Sequence, residues 1–161
     1  MAVWTIGAAI AARQQFLTES AKRKPQVTEG RSNVCPCGNY KSYPCCCEPL
    51  HRGSVGARTA EQLMRSRYSA YVLKLIDYLY QTTHPDNRTE KLHDEIAVWA
   101  EQVEFLRLEI LSVQQGLSTD RVGKVEFIAH FRQQQQSGQL HERSRFRRYR
   151  GGWVYFDGEI R

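Results

Sequence analysis

Residues 124–132 read KVEFIAHFR, and their apolar side chains recur at every second position. One side of this stretch carries Val125, Phe127, Ala129 and Phe131, and the other side carries Glu126, Ile128 and His130. A period of two predicts a β-strand with one buried face. Because such a strand needs neighbours to cover that face, the stretch implies a sheet in the second half of the chain.

Three further segments are predicted as strands: residues 105–113, 139–149 and 153–156. In the first of them the alternation places Leu106, Leu108 and Ile110 on one side. Turn residues, including Gly116 and the pair Gly151-Gly152, separate the segments. We therefore expect a four-stranded antiparallel meander over residues 102–161.

The segment before the strands, residues 57–101, has a helical period. Thr59 is followed three residues later by Gln62, which matches the capping box of a helix start. A stripe at helical spacing then comprises Ala60, Leu63, Met64, Tyr68, Tyr71, Val72, Leu75 and Leu79. We expect a break near Lys74, an end at residues 84–87, and a second helix with Leu92, Ile96, Trp99 and Ala100 on one face.

Helices followed by a meander predict an α+β fold, with the helices packed on one face of a curved sheet. A curled sheet closed by helices leaves a conical cavity, which is a common ligand site.

All five cysteines lie between residues 35 and 47, as Cys35, Cys37 and the run Cys45-Cys46-Cys47. Four thiolates at such spacing suit a tetrahedral zinc ion, for which the triple run must supply the second pair. Because adjacent cysteines on an extended backbone point apart, we expect a turn or a helix start there, favoured by Glu48-Pro49. Adventitious reactive thiols are the alternative, and a redox disulfide site is a weaker one because no C-x-x-C spacing is present.

Composition narrows the class of protein. The chain has 161 residues with 41% hydrophobic and 25% charged residues, which is ordinary for a globular domain. No apolar run approaches the roughly 18 residues of a membrane span. The net charge of +6 permits attraction to nucleic acid or acidic proteins without deciding for either. Clustered cysteines favour metal-bound thiolates in a reducing compartment over a disulfide framework.

Residues 1–33 are predicted to be a disordered extension. They include an apolar start, residues 2–12, which lacks the basic region of a secretory signal. An organellar transit peptide is the alternative for the basic residues 13–31.

The cysteine segment resembles the SEC-C motif, the zinc knuckle first noted in the SecA translocation motor. The matching residues are Cys35-Pro-Cys37-Gly38 and Cys46-Cys47. Eight residues separate Cys37 from Cys46. The resemblance implies that Cys35, Cys37, Cys46 and Cys47 are the zinc ligands and that Cys45 is a spare thiol. Asn39-Tyr40 departs from the usual Ser-Gly, which makes the turn after Cys37 less permissive.

Over roughly residues 34–158 the chain is similar to the bacterial YchJ family. The matching segments are residues 46–51 (CCEPLH), 59–71 (TAEQLMRSRYSAY), 125–127 (VEF), 140–146 (LHERSRF) and 153–158 (WVYFDG). The resemblance implies a SEC-C knuckle joined to a nuclear-transport-factor-2-like, cystatin-like roll. SEC-C knuckles elsewhere are associated with protein recognition, in SecA with the SecB chaperone and with ribosomes.

Candidate acid–base residues are His84, His93, His130, His141, Glu126, Glu142 and Asp157. If the histidine face of the strands lined the cavity, His141 with Glu126 or His130 would form an acid–base group. Ordinary cross-strand pairing is the favoured interpretation. On the first helix we expect Met64 and Tyr68 in the core and Arg67 solvated or packed along its stem. The alternative is a buried Arg67 that needs a carboxylate partner and marks a cavity.

The most basic stretch comprises Arg143, Arg145, Arg147, Arg148 and Arg150. Interleaved Phe146, Tyr149 and Trp153 provide aromatic surfaces of the kind that single-stranded nucleic acid uses. A half-exposed strand with its aromatic residues in the core has the same pattern.

The sequence therefore predicts an extension (1–33), a zinc knuckle (34–56) and an α+β roll (57–161). We expect a cytoplasmic zinc protein that recognises a protein partner through the knuckle, with RNA or ribosome contact as a further interpretation. A small-molecule-binding or enzymatic roll is the alternative. No catalytic residue is assigned.

Overall fold

The computed structural model describes residues 34–161, so the predicted disordered extension and its alternatives lie outside the described residues. Helices α1 (Glu48–His51), α2 (Ala60–Val72), α3 (Ile76–Gln81) and α4 (Leu92–Gln102) come first. Short 3-10 turns occur at Tyr43–Cys45 and Pro85–Asn87. Strands β1 (Glu104–Gln115), β2 (Val122–Gln133), β3 (Gln136–Tyr149) and β4 (Gly152–Ile160) follow. The order of elements confirms the predicted α+β fold.

The four strands form one antiparallel sheet in the order β1-β2-β3-β4. Each strand pairs with the next along the chain, as the predicted meander requires. The free edge of β4 is covered at one point, where Thr83 pairs with Tyr155.

Helix α2 begins as the capping pattern predicts. The Thr59 side chain accepts a hydrogen bond from the Gln62 backbone N–H at 3.1 Å. The Gln62 amide oxygen accepts from the backbone N–H of Arg58 rather than from that of Thr59. The helix ends before Lys74, whose φ of 57° is left-handed, so the expected break is present.

Strand β1 departs from simple alternation. Its pairing with β2 shifts between Phe105 and Arg107 and again between Ile110 and Ser112. The expectation that Leu106 lies with Leu108 on the inner side is wrong, because Leu106 is exposed at the first shift and Phe105 packs on the core instead. An extra residue in one strand reverses the side on which its neighbours fall.

The core lies between α2 and the inner face of the sheet. Its buried members are Ala60, Leu63, Met64, Tyr68, Leu108, Val125, Phe127, Ala129, Leu140, Phe146, Trp153 and Tyr155. A second cluster joins the end of α2 to α3 and α4 through Tyr71, Leu79, Leu92, Ile96 and Trp99. The prediction that Met64 and Tyr68 face the core is confirmed.

The cavity expected in the roll is filled by these side chains. The space left among Met64, Tyr68, Phe127 and Leu140 is about 10 Å³. A cavity of that size has room for about one water molecule. Among residues 34–161, the space between α2 and the sheet at this point is therefore a packed core.

Among residues 34–161, no helix combines the length and the apolar character that crossing a membrane requires.

Candidate metal centre

The first half of the knuckle is a tight turn. An isolated bridge pairs Val34 with Ser42, and the backbone N–H of Cys35 donates to the Lys41 carbonyl at 2.7 Å. The Gly38 N–H donates back to the Cys35 carbonyl at 3.1 Å, with φ of 75° at Gly38. Since glycine adopts this left-handed conformation without steric cost, the chain can reverse directly after Cys37.

The second half changes direction between two short helices. The 3-10 turn ends with the Cys46 N–H donating to the Tyr43 carbonyl at 3.0 Å. Helix α1 then starts directly after Cys47, whose carbonyl accepts from the N–H groups of Leu50 and His51. This non-extended backbone gives the adjacent Cys46 and Cys47 the convergence that the sequence required.

Four sulfur atoms meet between the two halves. The Sγ atoms of Cys35, Cys37, Cys46 and Cys47 all lie within 4.8 Å of one another. The Cys37–Cys46 distance is 3.6 Å and the Cys46–Cys47 distance is 3.8 Å. A tetrahedral zinc ion with Zn–S bonds of about 2.3 Å would separate its sulfur ligands by about 3.8 Å. The donor set and its spacing therefore fit a tetrahedral metal ion.

The thiols share hydrogen bonds that move their pKa values in opposite directions. Hydrogen bonds from Cys37 and Cys47 lower the pKa of Cys35 well below the usual thiol value. The hydrogen bond to Cys35 raises the pKa of Cys37 to about 12 and also raises that of Cys47, to which burial adds. Cys35 is thus favoured as a thiolate, while Cys37 and Cys47 resist ionisation. A divalent cation would supply the charge that allows the remaining thiols to lose their protons.

The roll holds this cluster from one side. The Ser69 hydroxyl lies 3.6 Å from the Cys35 sulfur. Arg65 donates to the Cys37 carbonyl at 3.0 Å while it pairs with Glu61. Both contacts come from α2, so the knuckle is seated on the first long helix of the roll.

His51 forms a second link between knuckle and roll. Its Nε2 lies 2.8 Å from the Ser66 carbonyl, and since a carbonyl only accepts, Nε2 carries the proton and donates. Nδ1 then accepts from the Tyr43 hydroxyl at 2.8 Å. The ring also packs edge-on against Tyr78, and burial lowers the pKa of His51, which favours the neutral form.

Replacing His51 with alanine is expected to lower the free energy of unfolding by about 2–3 kcal/mol, because two hydrogen bonds and the ring contact are lost. Tyr43→Phe, which removes only the hydroxyl, should cost about 1 kcal/mol. Urea denaturation of the metal-loaded protein measures both changes. Equal stabilities of the His51→Ala variant and the original protein would contradict the assigned link.

Cys45 and Tyr40 lie outside the sulfur cluster. Cys45 is exposed, and its sulfur is not one of the four that lie close together. Tyr40 is 96% exposed and has a left-handed φ of 49°. The residue in the usual glycine position of the motif therefore keeps a glycine-like backbone and presents its ring to solvent.

The proposed acid–base group lies on the wrong face for a cavity. His141 Nε2 contacts Glu126 at 2.8 Å, and His130 contacts Glu109 at 2.8 Å. Because these residues alternate with Leu140 and other core residues, they point away from the helices. Cross-strand pairing on the outer face, the favoured interpretation, describes them. The remaining histidine candidates, His84 and His93, contact Asp86 and Asp77.

Two buried charged residues lie inside the roll. The solvated interpretation of Arg67 is wrong: it is 3% exposed, donates to the Leu79 carbonyl at 2.7 Å and stacks over Tyr155. Glu142 is 1% exposed, and burial raises its pKa to about 7. Strand alternation in the sequence puts Glu142 on the side opposite His141 and Arg143, and that side is the buried face of β3.

The basic stretch is only partly available to a ligand. Phe146 and Trp153 are buried, and Arg148 donates to backbone carbonyls, including Gly151 and Ser118. Earlier on the same strand, the outward-facing Arg143 and Arg145 are paired with the carboxylates of Glu159 and Asp157. The aromatic residues first considered for stacking, apart from Tyr149, belong to the core.

A cysteine knuckle seated on the first long helix of a helix-covered meander defines a SEC-C protein with an NTF2-like domain. The model of the family described as "YchJ, middle NTF2-like domain" matches residues 59–158. The chain belongs to the YchJ family, as the sequence resemblance indicated.

Two relatives are similar in sequence over most of the chain. A UPF0225 protein of Geobacter sulfurreducens is 44% identical over 127 residues, covering 79% of each chain. A UPF0225 protein of Bordetella pertussis is 44% identical over 142 residues, covering 87% of this chain and 99% of the relative.

Solved structures share the fold. A SEC-C motif containing protein from Rhodopseudomonas palustris has a TM-score of 0.71 at 42% identity, covering 78% of this chain and 97% of the other. A second SEC-C motif containing protein, from Psychrobacter arcticus, has a TM-score of 0.65 at 30% identity, with coverages of 80% and 82%.

Proposed function

We propose that this protein binds one Zn²⁺ ion through the thiolates of Cys35, Cys37, Cys46 and Cys47 and uses the zinc-held knuckle to recognise a protein partner. The observation that carries the metal assignment is the group of four sulfur atoms within 4.8 Å. In this assignment the knuckle spans residues 34–56 and the roll residues 57–161. Cys45 is a spare thiol.

The donor chemistry favours zinc. An all-sulfur tetrahedral set suits zinc or iron–sulfur chemistry rather than magnesium or calcium, which take oxygen ligands. With four protein ligands, the ion keeps no open position for water, so it acts as a structural centre. A zinc thiolate site of this kind belongs in a reducing compartment, for which we propose the cytoplasm.

Support for partner recognition comes from the tip of the knuckle. Tyr40 is 96% exposed on a left-handed backbone, a conformation that costs a non-glycine residue about 1 kcal/mol or more. Val34 and Lys41, near it in the turn, are exposed as well. Exposed tyrosines on fixed backbone are frequent anchors of protein interfaces. By contrast, the filled roll gives the small-molecule alternative little space.

The metal assignment is tested by elemental mass spectrometry on untagged protein purified without chelator. About one zinc per chain is expected from the single four-thiolate site. Full occupancy by iron would support the four-thiolate site but would show that zinc is the wrong metal. A chain with no metal and free thiols would contradict the assignment.

Partner recognition is tested by photo-crosslinking in cells. A benzophenone amino acid placed at Tyr40 should give a discrete adduct that disappears when Cys46 is also replaced with serine. Val98, an exposed apolar residue on α4, is the matched control position and should give no such adduct. The same adducts at both positions, or adducts that persist without Cys46, would argue against a recognition knuckle.

A further inference from the structure

Strand β4 contains one extra residue on the side of the molecule where the basic stretch ends. Arg145 pairs with Asp157, and the next pair along is Phe146 with Tyr155. Phe156 is left without a partner on β3. Such a bulge turns the extra side chain out of the regular alternation. The Phe156 ring is half-buried, unlike its fully buried neighbour Tyr155.

An aromatic strip forms around this bulge. The His84 ring lies between Phe156 and Tyr149, with ring centroids 5.2 and 5.3 Å away. Arg147 places its guanidinium carbon 3.7 Å from the Phe156 ring centroid, and Arg150 lies 5.4 Å from that of Tyr149. We call these five residues the arginine–aromatic strip.

The arginines of the strip are exposed and differ from their neighbours in charge environment. Arg143 and Arg145 are each paired with a carboxylate. For Arg147 and Arg150, the structure gives no ion pair within 4.0 Å among residues 34–161. Lys124 lies on the same outer face, opposite Arg145, and also has no ion pair among residues 34–161. Among residues 34–161, Arg147 and Arg150 therefore carry unpaired charges against partly exposed aromatic rings, and Lys124 adds a third cation on the same outer face.

We propose that the arginine–aromatic strip binds single-stranded nucleic acid, a function separate from the metal knuckle. A base stacks on the exposed plane of the Arg147 guanidinium, which Phe156 supports from below. Lys124 and Arg150 contact flanking phosphates, and the edge of the Arg147 guanidinium donates to a third phosphate. An acidic protein would need the three cations but would gain nothing from the Arg147 guanidinium held 3.7 Å over the Phe156 ring, so this contact favours nucleobases.

The test is fluorescence anisotropy of the full chain with oligouridylate and oligothymidylate of about 12 nucleotides, a length within the usual range of single-strand sites. Three phosphate contacts predict a slope of log affinity against log salt of about −2. Polyglutamate serves as the competitor that lacks bases. Binding of either oligonucleotide with this slope supports the proposal, and a preference for uridylate would add contact with the ribose 2′-hydroxyl.

Matched variants separate charge from stacking. Arg147→Gln should weaken binding about tenfold and make the salt slope shallower by about 0.7, because one phosphate contact and the stacking plane are lost. Phe156→Leu should also weaken binding about fivefold but leave the slope unchanged. Arg143→Gln removes the same charge from the same face of β3 and should change affinity by less than about twofold, because its charge is already paired.

Thermal melting followed by circular dichroism verifies that each variant is folded, and exposed Arg147 gives the least disturbed variant. The proposal is overturned if no saturable binding occurs at low salt. Equal losses for Arg147→Gln and Arg143→Gln would also overturn it. If polyglutamate competes as well as the oligonucleotide and Phe156→Leu has no effect, the strip is a site for acidic protein instead.

Discussion

Replacing Cys46 with serine is expected to abolish metal binding, whereas replacing the adjacent Cys45 is expected to leave it intact. The Cys46 sulfur lies 3.6 Å from that of Cys37 and 3.8 Å from that of Cys47, which are distances of a tetrahedral site. A serine hydroxyl does not ionise near neutral pH and cannot replace the fourth thiolate. Because structural zinc binding supplies about 10–16 kcal/mol to small zinc domains, the loss should unfold the knuckle.

Metal content per chain and a heteronuclear NMR spectrum measure this result. The Cys46→Ser protein should contain less than about a tenth of a zinc per chain. Resonances of residues 34–56 should collapse, while those of the roll remain dispersed because the roll has its own core. Cys45→Ser is the control, differing by one position in the same run. If Cys45→Ser loses the metal and Cys46→Ser keeps it, the ligand assignment is wrong.

The second large effect is a loss of stability with rising pH that depends on Glu142. Burial raises its pKa from 4.5 to about 7, against the opposing effects of the Ser144 hydrogen bond and of Arg67. Tyr155 donates to the same carboxyl oxygen at 3.5 Å, and nearby Asp157 raises the pKa further. Since Ser144 also contacts this oxygen at 2.5 Å, the acid is fixed in one place.

The direction of the pH dependence of stability follows from proton binding by Glu142. Between pH 4.5 and about 7 the folded chain holds the Glu142 proton more tightly than the unfolded chain. The associated stability is therefore fully present below pH 4.5 and is lost as pH rises through about 7. At about 1.4 kcal/mol per unit of pKa, the loss is about 3 kcal/mol.

Glu142→Gln is the matched variant, because glutamine has the shape of the protonated acid and does not titrate. Its urea unfolding free energy, measured with the metal bound, should equal that of the original chain near pH 5. Near pH 8 the variant should be the more stable by about 3 kcal/mol. Parallel pH curves for the two proteins would show that Glu142 ionises normally in the fold.

The sheet and the long helices could be predicted because their signals are local. The alternation of β2 and the cap at Thr59 each depend on residues within one element, and both predictions are confirmed. The candidate metal site could not be predicted from cysteine spacing alone. Which two thiols of the triple run converge depends on the turn before Cys46 and the helix start after Cys47, and the resemblance to a known motif supplied that register.

The predictions from sequence were wrong where tertiary packing determines whether a side chain is buried. The exposure of Leu106 follows from a shift in pairing with β2, which alternation cannot reveal. Arg67 is buried because the carbonyl of Leu79, on the next helix, and the ring of Tyr155 satisfy its guanidinium. For His141 the favoured cross-strand pairing is present, but alternation could not show which face it lies on, because a period of two is the same for both faces of a sheet.

If the proposed zinc assignment holds, the seating of the knuckle on α2 makes the stability of the roll depend on free zinc. Arg65, Ser66 and Ser69 lie within two turns of one helix, and each contacts a residue of the knuckle. A ligand that binds only the folded state at a thousand times its dissociation constant adds about 4 kcal/mol of stability. Part of that gain would reach α2, so metal starvation would loosen a domain that holds none of the metal's ligands. Cellular levels of the whole chain would then follow zinc supply through proteolysis of the loosened form.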